Sequence, residues 1–340
     1  MNSELSSQQV KDIGEQGLLE RLQRFCPPEI IGDDAAVLET VPGQSLVVTT
    51  DVLVDGVHFS NLTTSPEDAG WRAAAANLSD LAAMGASPLG ITVGLGLPGE
   101  LRVSWVERLY QGMTECLQKY NTLIVGGDVV RSPVTTLAIT AFGQVNPSQI
   151  IRRSAAVVGD TIVVTGVHGA SKAGLELLLH PELVQNLKDA ECTALILAHQ
   201  RPQPRLDVLP ILWKILTPNS QLSIAGMDSS DGLADAIIQI CRASGVGAVL
   251  EHRQIPIPKT FNHWLTPDQA LKYALYGGED FELVLCLPQE LASALVQHLG
   301  EGAAIAGRIT AGSTVILHDE QKKFPDQVLN LSQGFQHFGQ

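Results

Sequence analysis

Basic residues are scarce. The chain has 22 Lys+Arg among 340 residues against 36 Asp+Glu, a formal net charge of −14, and charged residues make up only 17% of it, where about 25% is usual. Bulk-charge binding to nucleic acid or to an anionic membrane is excluded, because both need clustered Lys and Arg. Cysteine is equally thin. Cys26, Cys116, Cys192, Cys241 and Cys286 are far apart, odd in number and form no CxxC, which fits reduced thiols in a cytoplasm better than a disulfide framework or a zinc site. Long hydrophobic runs are missing too. Residues 81–99 carry no charge, but Pro88, Pro98 and five glycines interrupt them, so they read as helix end, turn and strand rather than a membrane span. The first twelve residues have neither the basic nor the apolar segment of a secretory leader.

Nucleotide-binding signatures are absent in their strict form. Gly94, Gly96 and Gly99 satisfy G-x-G-x-x-G, but a charged turn follows the third glycine, where the dinucleotide motif must open a helix. The segment Gly166-Val167-His168-Gly169-Ala170-Ser171-Lys172 lacks the Gly-Lys-Ser/Thr order of a P-loop. A Gly-rich turn that opens a helix can still cradle an anion on free N–H groups. No Ser/His/Asp or Cys/His arrangement assembles from this sequence.

What is present is a large apolar complement, 45% of residues, enough for roughly two domains of about 150 residues each and incompatible with disorder. SLVVTTDVLV is β-rich, PEDAGWRAAAANLSDLAAMGA is helical, GITVGLGL is β-like, SWVERLYQGMTECLQKY is helical, and NTLIVGGD returns to strand and turn before the strand VTTLAITAFGQV. A turn at Asn146-Pro147-Ser148 separates this α/β half, residues 1–148, from a second α/β or α+β half, residues 149–340.

Acids recur at expected strand ends and helix starts among small and apolar neighbours: Asp33-Asp34, Asp51 after Thr49-Thr50, Asp80, Asp128 after Gly126-Gly127, Asp228 and Asp231, and Glu279-Asp280. Carboxylates gathered in apolar surroundings repel one another and lose hydration, so several in one site call for hard cations or protonation. Magnesium is the economical explanation, since it takes one or two carboxylates per ion with substrate phosphates and water. Singly, each has a structural alternative. Asp33-Asp34 and Asp51 also suit turns, Gly126-Gly127 also makes a turn, and Asp228 and Asp231 stand i, i+3 where one of them can cap a helix. His58, Arg153, Tyr110 and Phe335 would ordinarily be structural, solvated, core and tail-anchoring residues.

The ordered segments GDDAAVL (32–38), TTDVLVDGVHF (49–59), NLSDLAAMGA (77–86), GGDVVRSP (126–133), RRSAAVVGDTIVVTG (152–166), MDSSDGL (227–233), YGGEDFEL (276–283) and GFQHF (334–338) resemble bacterial thiamine-monophosphate kinases across nearly the whole chain. The resemblance implies a two-domain α/β fold of the aminoimidazole ribonucleotide synthetase type, with an N-terminal α/β domain whose sheet forms a dimer and a C-terminal α/β domain. It implies ATP and several Mg²⁺ in a cleft between the domains, and thiamine monophosphate as acceptor. Carried over by position, Asp34, Thr49, Thr50, Asp51, Asp80, Asp128, Asp228 and Asp231 would be metal ligands. Tyr110, Gly127, Asp128, Arg153 and Ser230 would contact ATP, and His58, Glu279 and Phe335 the thiamine phosphate. Two departures, Gly14-Glu15-Gln16 for the family's Gly-Glu-Phe and Ala35 in GDDAA, touch no implied ligand. Twelve of the acids fall inside the quoted segments, so the negative charge is concentrated where the resemblance places phosphates. An ATP-dependent ligase-like relative and a non-enzymatic nucleotide sensor are the alternatives.

Overall fold

The structure, a computed structural model, describes residues 7–28, 30, 35–216, 222–322 and 325–334. Asp34 and Phe335, both expected in the site, lie outside the described residues, as does Asp33. The chain divides into two units, one of residues up to Leu81 with Ala86–Val145, the other of Ala82–Gly85 with the residues from Asn146 onward.

The first unit contains α1 (Val10–Leu22), β1 (Ser45–Val54), α2 (Pro66–Ala83, except its last two residues), β2 (Ser87–Leu97), α3 (Val103–Lys119), β3 (Ile124–Arg131) and β4 (Thr136–Val145). Its sheet runs β1-β4-β2-β3, with β4 antiparallel to β1 and β2, and β2 parallel to β3. Burial alternates along β1, as the period of two in a pleated strand requires when one face is covered. Thr49, Asp51 and Leu53 face α2, whose Asp80 accepts a hydrogen bond from the Thr49 hydroxyl. Leu46, Val48 and Val52 face the other way and are 47–56% exposed. α2 and α3 cross in backbone contact. A Cβ on Gly70 would stand 1.9 Å from the Leu109 carbonyl oxygen and one on Gly112 1.8 Å from that of Glu67, so only glycine permits this packing.

The second unit contains β5 (Thr161–Val164), α4 (Ala170–Leu179), α5 (Asp189–Gln200), α6 (Val208–Ile215), β6 (Ala225–Asp228), α7 (Leu233–Ser244), β7 (Gly247–Glu251), α8 (Phe261–Trp264), α9 (Pro267–Tyr276), β8 (Leu283–Leu287), α10 (Gln289–Leu299), β9 (Ala304–Thr310), β10 (Val315–His318) and β11 (Gln327–Val328). These strands form one sheet, β11-β10-β7-β9-β5-β8-β6, antiparallel throughout except where β10 meets β7. Ile162, Val164, Val284 and Cys286 enter one core with α7 and α9. The intervening Val163, Leu283, Leu285 and Leu287 enter a second core with α6 and α10. Burial on both faces explains why TIVV and LVLCL are continuous apolar runs. All five cysteines are free thiols, and all but Cys26 are buried.

Candidate active site

In the first unit the strands extend through the expected turn positions. Asp51 lies inside β1 and not at its end. Gly126, Gly127 and Asp128 lie inside β3, paired with Thr92, Val93 and Gly94. Strand pairing holds Gly127 so close to β2 that a Cβ there would stand 2.2 Å from the Val93 carbonyl oxygen, which is why a glycine replaces the usual β-branched residue. The structure brings Thr49 and Asp80 together and puts Asp51 on the same face of β1. The Thr50 side chain takes the opposite face, its hydroxyl 2.9 Å from that of Thr140. Asp128 is on β3, at the other edge of the sheet from β1, its carboxylate accepting from the Val129 N–H at 2.9 Å. His58 sits in the turn after β1, where its Nδ1 accepts from the Val54 N–H at 3.0 Å. That bond leaves the proton of the neutral ring on Nε2, a defined donor. The His58 carbonyl accepts from the buried Arg72 guanidinium at 3.0 Å. Tyr110 is buried on α3 against the Phe25 ring, 5.5 Å between centroids, and burial raises its hydroxyl pKa.

In the second unit two turns meet. Asp228 ends β6 and is buried, accepting from the Ser230 hydroxyl at 3.1 Å. Neither acid stands at the cap position itself: α7 starts at Leu233 and its N-cap is Gly232. The Glu279 N–H donates to the Ser230 carbonyl at 2.7 Å, and the Ser229 N–H to the Glu282 carbonyl at 2.8 Å. The segment around Asp228, Ser230 and Asp231 is thereby tied to the one that carries Glu279. Gly334, the neighbour of Phe335, also reaches this region: a Cβ on it would stand 3.9 Å from the Asp231 carbonyl oxygen. Arg153 opens a short turn, its own carbonyl accepts from the Ser244 hydroxyl of α7 at 2.8 Å, and its charge acts on Asp235 of the same helix.

The Gly-rich turn before α4 does cradle an anion, and that anion is the chain's own. Asp280 accepts from the Gly169 N–H at 2.6 Å and the Ser171 N–H at 2.9 Å, where the helix dipole favours negative charge. Burial nevertheless pushes its carboxyl up to about 7, against the pull of those donors. In the same turn His168 is buried, its ring 3.1 Å from both the Gly166 carbonyl and the Ser229 hydroxyl. The carbonyl can only accept, so Nδ1 carries the proton and Nε2 accepts from Ser229. Burial pushes this imidazole down to about 4. Glu279 and Phe281, on either side of Asp280, have φ of 67° and 52°, each a conformation costing a non-glycine residue roughly 1–3 kcal/mol. Glu282 is engaged structurally, accepting from the Thr165 hydroxyl at 2.6 Å and from Arg205.

Asp280, His168 and His199, the last within 3.1 Å of the Ser171 hydroxyl, were not among the expected site residues. Asp280 lay in view inside YGGEDFEL, whereas nothing near His199 in the sequence marks it. The donors collected in both units are carboxylate and hydroxyl oxygens, a set that fits a hard cation. Among the described residues no three His, Cys, Asp or Glu groups converge to hold an ion. Magnesium tolerates such sparse protein ligation, because substrate phosphates and waters complete its shell. No helix among the described residues is long and apolar enough to cross a membrane.

Both halves match the AIR synthase related protein models, the N-terminal domain over residues 32–145 and the C-terminal domain over residues 157–320. They define the class as the two-domain α/β fold of that group. The chain is 52% identical over 335 residues to the thiamine-monophosphate kinase of Synechococcus elongatus, covering 98% of this chain and 99% of that one. The crystal structure of the thiamine-monophosphate kinase from Stenotrophomonas maltophilia K279a is 35% identical, with a TM-score of 0.75 over 85% of this chain and 90% of that one. A solved structure of AaThiL complexed with AMPPCP and TMP is 30% identical, with a TM-score of 0.71 over 94% of this chain and 97% of that one. The chain belongs to the thiamine-monophosphate kinase family.

Proposed function

We propose that this chain transfers the γ-phosphoryl group of ATP to thiamine monophosphate, giving thiamine diphosphate and ADP, the last step of thiamine diphosphate formation. The observation that carries the reading is the 52% identity, from end to end, with a protein named for that activity. The AaThiL complex with AMPPCP and TMP, an ATP analogue and an acceptor together, supports the pairing of substrates. The acceptor phosphate, with a second pKa of about 6, is mostly a dianion near pH 7 and needs no general base. That agrees with a site rich in carboxylates. Transfer is direct and in line.

The N-terminal part, residues 1–148, binds ATP and magnesium and forms the dimer, and residues 149–340 complete the nucleotide and substrate site. Asp51 and Asp128, with Thr49 and Thr50, hold metal at the ATP phosphates, and Asp34, Asp80, Asp228 and Asp231 hold it nearer the transferred group. Thr50 would do so through its main-chain carbonyl, given the direction of its hydroxyl. Bound magnesium supplies charge neutralisation and polarises the phosphoryl oxygens. Tyr110, Gly127, Asp128, Arg153 and Ser230 contact ATP, with the Arg153 guanidinium steadying a phosphate. His58 donates Nε2–H to the thiamine phosphate, Glu279 meets the same substrate, and Phe335 offers a ring to the cationic thiazolium. The exposed apolar face of β1 supports a homodimer in which a second copy covers it. The working place is the cytoplasm.

The test is incubation with Mg-ATP and thiamine monophosphate. Thiamine diphosphate and ADP are expected in equal amounts, lost in Asp128→Asn. Absence of diphosphate with metal present removes the kinase reading, and retention at a chiral γ-phosphorus removes direct transfer.

A further inference from the structure

The carboxylate of Glu279 stands on a backbone that its own side chain disfavours. Residues 279 and 281 both have left-handed φ, and neither is Gly, Asn or Asp, the types that adopt it readily. Such a turn persists only if its surroundings hold it. Three fixings hold the turn: the Glu279 N–H on the Ser230 carbonyl, the buried Asp280 carboxylate on the Gly169 and Ser171 N–H groups, and the buried Phe281 ring. These fix the main chain and leave the direction of the Glu279 carboxylate to side-chain neighbours. His199, on α5, supplies one. It is only 3% exposed, its Nδ1 lies 3.7 Å from Glu279 Oε2, and Glu279 is one-third exposed. The imidazole is itself held, with Nδ1 3.1 Å from the Ser171 hydroxyl. Ser171 thus touches both fixings, through its N–H to Asp280 and through its hydroxyl to His199.

We propose that His199, braced by Ser171, is a positioning residue that aims the Glu279 carboxylate at the acceptor substrate. This rests on the kinase reading and on Glu279 as a substrate contact. A polar, nearly fully buried imidazole beside a partly exposed carboxylate has a second duty besides packing α5 on α4: it restricts the rotamers of a strained residue before substrate arrives. Preorganisation of that kind acts on one substrate and not on the other.

The test is steady-state kinetics with each substrate varied in turn. His199→Ala is expected to raise KM for thiamine monophosphate about 10-fold and to leave KM for ATP within about 2-fold. His199→Asn, which keeps a polar atom near the Nδ1 position, should recover most of the loss. Ser171→Ala provides a second route if His199→Ala does not fold, and should show the same one-sided change, smaller. In a Glu279→Ala background, His199→Ala should add less than about 2-fold, because its effect runs through the residue already removed. Equal changes in both KM values, or additivity with Glu279→Ala, would overturn the positioning role while leaving the kinase reading intact. A parent chain that forms no thiamine diphosphate overturns the kinase reading, and this proposal with it.

Discussion

β1 and β8 are both strands of mostly apolar residues, yet they meet water differently. Every residue of β8 is buried, because α7 and α9 pack on one face of its sheet and α6 and α10 on the other. In β1 only alternate residues are covered, and Val48 and Val52 stand half exposed. The two sheets therefore put their second faces to different use. In the second unit both faces hold the fold together, so a strand can give up residues only at its ends, and Asp228 and the Glu279 turn are at such ends. In the first unit one face is uncommitted, and polar Thr49 and Asp51 take positions on the covered face that an ordinary core would give to valine.

The sharpest way to break this contrast is one charge placed in each sheet. Leu285→Asp in β8 buries an unpaired carboxylate between two cores, at a cost above about 4 kcal/mol. That is a large part of the roughly 5–15 kcal/mol stability of a typical domain. Thermal unfolding followed by circular dichroism should show no cooperative transition. Val48→Asp on the open face of β1 should keep it. A cooperative Leu285→Asp protein would mean that β8 has a face to spare after all.

Next in size is a pH effect confined to the second unit. His168, held near 4 against an ordinary 6.5, stays neutral in the fold while the unfolded chain takes up a proton, so its contribution is present above pH 6.5 and lost as pH falls toward 4. Asp280 runs the other way. Its folded pKa, about 7 against 3.8, means that the fold takes up a proton first, and stability rises as pH falls from 7 toward 4. Between pH 7.5 and 5 each contributes about 2 kcal/mol with opposite sign, so the parent should change little. Relative to the parent, His168→Gln should gain stability on acidification and Asp280→Asn should lose it, measured as urea midpoints at both pH values. Parallel shifts in the two variants would contradict the assignment.

Thr49→Val, the third, removes the donor to Asp80 in the first unit. Its expected cost is about 1 kcal/mol, the net worth of one such bond, visible as a lower urea midpoint with an unchanged slope. A larger loss would mean that the polar pair is part of the core and not a guest in it.

Much of the fold was legible because burial writes itself into pattern. TIVV and LVLCL are continuous where both faces are covered, and SLVVTTDVLV carries the alternation. Strand ends were not legible. Asp51 and Gly126-Gly127-Asp128 look like turns one residue at a time, and only pairing with β4 and β2 keeps them extended. The same holds for the site. Asp228 and Asp231 appeared to be capping candidates because the helix start was placed too early, and Gly232 occupies the cap. His199 was silent in sequence, since its nearness to Glu279, eighty residues away along the chain, depends on α5 packing against α4. The anion for the Gly166–Gly169 turn was sought in a ligand and found in Asp280.

The smallest expected effect on folding is the most informative about the open face. Val48→Lys with Val52→Lys puts two ammonium groups where water already reaches, and surface changes of this kind alter stability by about 0.5 kcal/mol or less. Circular dichroism of the variant should match that of the parent. If the face is the seam between two copies, the parent sediments as a dimer with a melting temperature that rises with protein concentration. The variant then sediments as a monomer whose melting no longer depends on concentration, since four like charges would face one another across a two-fold seam. A variant that stays dimeric moves the seam elsewhere. A variant that unfolds as Leu285→Asp does would show that the two faces of β1 are not different in kind, and the contrast between the sheets would fall with it.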